Sequence, residues 1–308
     1  EVYIGSTWME VAVSSPNLDG GARGLIVGGY NGSSRVDTVE FITISTAGNA
    51  ADFGNLTAAA GRNGSCGSNV RALRGGGYNN SSIVNVIDEH QFASTGNFND
   101  FGDLTRSSNQ LGSLSNATRG IWGGGNPEVD TIDFVTIAAS GNAVDFGNLQ
   151  SSKQSPSGCG NPTRGLWMGG EDSPTNVNTV DFITIATQGN AQDFGDLTAT
   201  KMMPSGNSSS TRAVMMGGNT SPANIDTIEF VTITTLGNAR DFGDLREAVS
   251  NSQSASDCVR GLRMGGGNGN TNIIDYVNIA TIGNAEDFGD LATGQGEGAG
   301  CSNAHGGL

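Results

Sequence analysis

Apolar positions in this chain come in short bursts separated by Gly, Asn, Ser and Thr, and helix formers are scarce. Arg164-Gly-Leu-Trp-Met-Gly-Gly170 is a short apolar strand stopped by a glycine pair, whose freedom at positive φ allows a sharp exit. Thr179-Val-Asp-Phe-Ile-Thr-Ile185, rich in β-branched and aromatic residues, predicts a second strand. Gly189-Asn190 then reads as a tight hairpin leading into Asp193-Phe-Gly-Asp-Leu197. A weaker strand around Ser205-Gly-Asn-Ser-Ser precedes the next arginine, which makes four antiparallel strands per unit. That is the pattern of a propeller blade.

The unit recurs. Asp-Phe-Gly-Asp/Asn-Leu starts at Asp52, Asp100, Asp145, Asp193, Asp241 and Asp287, and the strand-opening arginine falls at Arg23, Arg71, Arg119, Arg164, Arg212 and Arg260. The expected architecture is all-β: a single propeller domain over residues 1–308, with units at about 15–56, 57–104, 105–149, 150–197, 198–245 and 246–291. Residues 1–22 read as a worn fourth strand plus a first strand, with Trp8 in the slot of Leu56, and 292–308 repeat the first-strand segment as a closing or surplus strand. Six blades follow if one end closes the ring. Seven follow if a longer chain, which the start at Glu1 and the stop at Leu308 also fit, continues the series.

Spacing separates what is fixed from what is free. From the third-strand acid (Glu40, Asp88, Asp133, Asp181, Glu229, Asp275) to the next Asp-Phe-Gly is always 12 residues, and from there to the next arginine always 19. All variation falls between the arginine and the acid, where the intervals are 17, 17, 14, 17, 17 and 15. Loops on a rigid scaffold are common recognition sites, so the loop after Gly-Gly is the candidate ligand or partner face. It carries Tyr30, Asn31, Tyr78, Asn79, Asn126, Glu128, Glu171, Asp172, Asn219 and Asn268. Amides and two tyrosines suit sugar hydroxyls and pyranose faces, although Asn, Ser and Gly are also ordinary turn residues. In the second unit Glu89 and His90 replace Phe41 and Ile42 of the first, which marks either lost packing or a contact with a neighbouring protein.

Thirty acids against fifteen bases give a net charge of −15, which opposes nucleic acid and anionic membrane surfaces as partners. Hydrophobic residues make up 35%, so the core must be divided into thin layers between stacked sheets. No apolar run approaches the roughly 20 residues of a membrane span, and no charged start leads into an apolar stretch like a signal peptide. Cys66, Cys159 and Cys301 occupy equivalent places in different units, too far apart for the roughly 4.4–6.8 Å that a disulfide spans, and are expected as free buried thiols.

These units resemble kelch repeats, with Gly169-Gly170, Asp181-Phe182 and Phe194 at the places of the family's glycine pair, acidic-aromatic segment and fourth-strand aromatic. They depart from kelch in using Phe where that family has Trp, and in carrying its third-strand Tyr only as Tyr276. The wording is more similar to tandem-repeat proteins of marine bacteriophages, cyanophages included, in which segments like Thr163-Arg-Gly-Leu-Trp-Met-Gly-Gly and Gly-Asn-Ala-x-Asp-Phe-Gly-Asp-Leu recur. The resemblance covers about residues 21–291 and implies a virion or extracellular location among virion or fibre proteins.

The remaining motifs point to structure. Asp-Phe-Gly in six copies lacks the catalytic loop and nucleotide lysine of a kinase, so its Phe is expected between blades and its Asp on turn backbone. The glycine runs at 75–77, 123–125 and 265–267 lack the Lys-Ser/Thr of a phosphate loop. Each arginine is expected to pair with the acid across its own hairpin, the alternative being six arginines lining an anion-binding channel. His90 and His305 belong to no catalytic or metal-ligand pattern, and no cofactor is implied. The expected function is a non-enzymatic structural or adhesive module binding neighbouring proteins or cell-surface glycans. A glycan hydrolase or lyase on the same scaffold, or a secreted bacterial scaffold, are the alternatives.

Overall fold

The structure, a computed structural model, describes residues 2–4, 7–9, 22–267 and 270–308. Each blade runs from an innermost strand on the axis to an outermost strand on the rim, all neighbours antiparallel. Blade 1 comprises Ala299–Ser302, Arg23–Tyr30, Arg35–Thr43 and Ala51–Asn55, and blade 2 Gly64–Gly67, Arg71–Gly75, Val86–Gln91 and Asn99–Asp103. Blade 3 is built from Gly112–Ser115, Arg119–Gly123, Val129–Thr136 and Val144–Lys153, and blade 4 from Ser157–Gly160, Arg164–Met168, Thr179–Thr184 and Gln192–Asp196. Blade 5 uses Ser205–Ser208, Arg212–Met216, Thr227–Thr232 and Arg240–Asp244, and blade 6 Gln253–Ser256, Arg260–Met264, Ile273–Asn278 and Glu286–Asp290.

The result is a six-bladed β-propeller, and its ring closes through the C-terminal end of the chain. Cys301 stands opposite Leu25 and Ser302 opposite Gly24, so residues 299–302 supply the innermost strand of blade 1. Residues 10–21, where the sequence suggested a first strand, lie outside the described residues, and Trp8 falls in a separate small hairpin of Val2–Ile4 with Thr7–Met9.

The core is divided among the six seams between blades, as a chain this poor in apolar residues requires. The Phe of each Asp-Phe-Gly is buried in one seam, and five of the six meet the third-strand aromatic of their own blade edge-on, as with Phe182 and Phe194 at 6.0 Å between centroids. Full burial of such a ring contributes about 1.5–3 kcal/mol. The Asp of the motif does not satisfy turn backbone: its side chain is exposed and accepts no backbone N–H in any unit, and in blade 6 Asp287 takes Arg246 instead.

Gly-Asn is not the hairpin turn the sequence suggested. The bend is made by the residues before it, and Gly-Asn of each blade instead lies along the outermost strand of the preceding blade. At the seam of blades 4 and 5, Gly237 N–H donates to Phe194 O at 2.9 Å, Ala239 N–H to Asp196 O at 2.7 Å, and Asp196 N–H to Asn238 Oδ1 at 3.1 Å. The same three bonds recur at all six seams, including that between blades 6 and 1 through Gly48, Asn49 and Ala50. The latch pairs an edge that would otherwise be open to another strand. It also dictates glycine in Asp-Phe-Gly: Gly195 has φ +143°, and a Cβ there would sit 2.6 Å from the Gly237 carbonyl.

The six arginines tie the same seams from the turn end. Their register partner is a residue at the end of the third strand, not the acid; Arg23 stands opposite Thr43 while Glu40 stands opposite Ile26. The expected hairpin ion pair is therefore absent, since three residue levels separate the two charges. Instead Arg164 Nη1 donates to Ile233 O of the next blade at 2.8 Å while its guanidinium lies 5.0 Å from the Phe182 ring, and Arg23, Arg119, Arg212 and Arg260 repeat both contacts. In blade 2 the aromatic is replaced by Glu89, and Arg71 Nε pairs with it at 2.9 Å while Nη1 still reaches Ile137 O.

The third-strand acids are buried, each facing the connector from the preceding blade, and their countercharges come from unrelated positions. Asp88 takes Arg74 Nη2 at 2.9 Å and Thr57 Oγ1 at 2.6 Å. Lys153 Nζ sits 2.9 Å from Asp181 Oδ2 while donating to Thr179 Oγ1, and Lys201 holds Glu229. Asp275 takes Arg263 and Arg246. Glu40 has no ion-pair partner among the described residues and accepts only backbone N–H, chiefly from Ala292. Burial pushes its carboxyl above the ordinary 4.5.

Gly195→Ala should lower stability by about 2–3 kcal/mol through the lost latch, measured by denaturant unfolding, while Gly189→Ala, whose Cβ meets nothing within 4 Å, costs only its backbone strain. Lys153→Met should cost about 3–5 kcal/mol by stranding Asp181. Glu40→Gln should do the reverse. Because its folded pKa is raised, protonation of Glu40 favours folding, an advantage complete below pH 4.5 and lost as pH rises through the folded value. The variant is therefore expected to melt higher than wild type at pH 7 and to match it in acid.

Candidate functional site

Strand direction places every second-to-third-strand loop, together with every blade-to-blade connector, at one end of the propeller axis. Isolated bridges join the two, as between Tyr78 and Gly61, Asn126 and Asn109, and Glu171 and Gln154. Tyr30, Asn31, Tyr78, Asn79, Asn126, Glu128, Glu171, Asp172 and Asn219 all lie on this loop face. Asn268 lies outside the described residues.

Most of these side chains are already engaged. Asn31 Oδ1 accepts from Ser33 and Ser34 N–H, and Asn79 Oδ1 from Ser81 and Ser82 N–H, so both amides hold their own turns. Asn219 accepts from Ser221 N–H and donates to Asn224 Oδ1. The tyrosines meet across a seam: Arg35 lies between them, 4.9 Å from the Tyr30 ring and 5.0 Å from the Tyr78 ring, and its Nη2 donates to Glu297 Oε2 at 2.8 Å. One face of each ring is therefore occupied by a cation. Neighbouring loops are also stitched together, with Asn80 bonding both N–H and C=O of Arg35, Glu128 Oε1 accepting from Ser173 N–H, and Asn176 donating to Asn219 O. Asp172 remains exposed.

Inside these loops lies a ring that sequence reasoning missed. Arg62, Gln110, Ser155, Met203, Asn251 and Glu297, one from each connector, all have φ between 55° and 58°. Their backbones form a closed circle: Gln110 N–H donates to Arg62 O, Ser155 to Gln110, Met203 to Ser155, Asn251 to Met203, Glu297 to Asn251, and Arg62 back to Glu297. Each stands ten residues after the Asp of Asp-Phe-Gly, inside the segment of constant length. Six different residue types at one fixed place was the available signal. The backbone geometry is the same at all six places, while the side chains differ and several pair with one another, Arg62 with Glu297 at 2.9 Å and Gln110 Nε2 with Ser155 Oγ at 2.8 Å.

The ring surrounds a shallow cavity of about 90 Å³ that leads into an axial cavity of about 150 Å³ walled by the innermost strands. The lining of the axial cavity is mostly serine and glycine, with the amides Asn63, Asn207 and Gln253, three thiols and His305. The six arginines are not there, so they form no anion channel. His305 closes the turn end, its Nε2 2.8 Å from Gly67 O and 3.2 Å from Ser115 Oγ, while Nδ1 accepts from Gly307 N–H. Burial holds this imidazole below its ordinary 6.5.

Glu89 and His90 sit on the third strand of blade 2 with partners inside the chain. Beside the Arg71 pair, the His90 ring packs edge-on against Phe53 at 5.2 Å and lies 5.6 Å from Phe98, which fills the place of Ala in other units. The thiols are free, and burial pushes Cys159 and Cys301 up to about 12, opposite to the direction a nucleophile needs. Among the described residues no group of three or more His, Cys, Asp or Glu is placed to hold a metal ion. No family model matches the chain, and no curated protein is similar to it.

Proposed function

We propose that this chain is a non-enzymatic structural or adhesive module of a phage particle or extracellular fibre, and that its loop face binds neighbouring proteins or surface glycans. The observation that carries this reading is the connector ring: six side chains of different chemistry are presented around the axis on one repeated backbone geometry. A surface held that way can vary its side chains while the repeated backbone geometry is kept, which is what a recognition face needs. The loops around it carry all the length variation and are stitched to one another, so binding there requires little ordering. The phage setting rests on the wording of the repeat.

The test pairs a glycan array and purified particles with a reducing-sugar release assay. Saturable binding without product is expected, weakened at least tenfold by Arg62→Ala or Asp172→Ala. Release of sugar that one acidic substitution abolishes would overturn the reading, as would particles that contain the chain only as a loosely attached contaminant.

A further inference from the structure

Residues 303–308 cross the axis at the turn end and form a floor to the axial cavity, which His305 lines. Asn303 Oδ1 accepts from Arg23 N–H of blade 1 at 2.8 Å, Ala304 lies beside Asp257 of blade 6, and Gly306 N–H donates to Ser208 O of blade 5 at 3.1 Å. His305 reaches across to blades 2 and 3, where Nε2 meets Gly67 O and Ser115 Oγ. The segment passes so close to the inner strands that it demands glycine: a Cβ on Gly306 would run into Ser209 O, and one on Gly307 into Ser115 O.

Both nitrogens of this imidazole are committed. Gly307 N–H donates to Nδ1 at 3.0 Å, so the ring proton sits on Nε2 and is given to Gly67 O. A second proton would turn Nδ1 into a donor facing a donor and set a cation against backbone and a hydroxyl. No carboxylate is bonded to the ring among the described residues. The inner strands packed beside it bring the thiols Cys66 and Cys301, which burial keeps protonated. The turn of blade 6 brings Cys258, whose thiol burial also pushes up, and Asp257, which is engaged on Val259 and Arg260 N–H. Arg23, at Asn303, is a like charge.

We propose that residues 304–308 are an acid-released floor of the axial cavity, seated by neutral His305 and freed when the ring takes its second proton. Release opens the cavity at the turn end as well as through the connector ring. The inner strand Ala299–Ser302 stays in place, because its ladder with Arg23–Tyr30 does not involve the imidazole. Burial holds the seated ring below 6.5, which sets the direction in pH. Above 6.5 the seated and released rings are both neutral and the seat is at full strength; it weakens as pH falls from there through the lowered value. None of this rests on what the loop face binds.

Hydrogen exchange of the Gly306 and Gly307 amides at about pH 7.5 and about pH 5, corrected for intrinsic rates, tests it. Protection of both amides should fall about tenfold in acid while Leu166 and Val214 stay protected. Asp257→Asn should keep this response. His305→Gln should abolish it, leaving the two amides either protected at both pH values or, where the amide side chain cannot replace neutral imidazole, unprotected at both. Wild-type protection that is the same at both pH values overturns the inference, as does an acid loss that His305→Gln retains or Asp257→Asn removes. The ring itself is read by the magnetic resonance of its carbon-bound protons, which should titrate below 6.5 together with the loss of Gly307 protection. Titration of the ring while Gly307 stays protected overturns the inference.

Discussion

Every blade of this propeller is completed by its neighbour. An isolated four-stranded blade would present an unpaired outer edge and an apolar flank, and 35% hydrophobic residues leave little to cover either. The Gly-Asn latch resolves the edge: the outermost strand of each blade gives its backbone to the next blade, three bonds at a time, around the whole ring. The rest of the architecture depends on that lateral pairing. It fixes the distance between blades at which the Phe fills the seam, the arginine reaches a carbonyl across it, and the connector residues meet in a circle around the axis.

The same constraint divides the molecule by function. Seams and turns are held to one geometry by backbone bonds, so residues there serve the scaffold. In the connector ring and the second-to-third-strand loops residue type and loop length vary, and the side chains there are held by bonds particular to each blade, as with Asn31, Asn79 and Glu297. The buried acids show the principle within the core. The carboxylate position is kept, but its cation comes from the second strand in blade 2, from the second strand and the connector in blade 6, from the end of the preceding outermost strand in blade 4 and from the connector in blade 5. Compensation takes a different route in each blade, and Glu40 and Asp133, without an ion pair among the described residues, accept hydrogen bonds from Ala292 and Thr105 instead. Blade 2 repacks in the same way, with Glu89 answering Arg71 and Phe98 filling space beside His90.

Periodicity made the all-β propeller and the place of each Asp-Phe-Gly phenylalanine readable, because both are set by residues a blade carries itself. What crosses a seam was misread. Arg23 and Glu40 looked like hairpin partners, but strand register depends on where the loop after Gly29 ends, and composition does not mark that point. Gly-Asn has the signature of a turn, and its role as a latch appears only when the neighbouring strand is in place. The connector ring left a trace, a fixed distance from Asp-Phe-Gly with unrelated residues, yet such variety at one position looks like a solvated surface until six copies are seen to converge. Asn31 and Asn79 fit sugar hydroxyls equally well on paper, and their geometry commits both amides to turns.

Native-state hydrogen exchange at the latch glycines, Gly48, Gly96, Gly141, Gly189, Gly237 and Gly283, is the most direct measure of whether lateral pairing holds the ring together. If it does, these amides, although they lie in loops, should exchange only through global unfolding, with the same free energy as second-strand amides such as Leu166 and Val214. Exchange at the rate of open turns, while the strand amides stay protected, would contradict the account and leave the apolar seams alone as the source of closure.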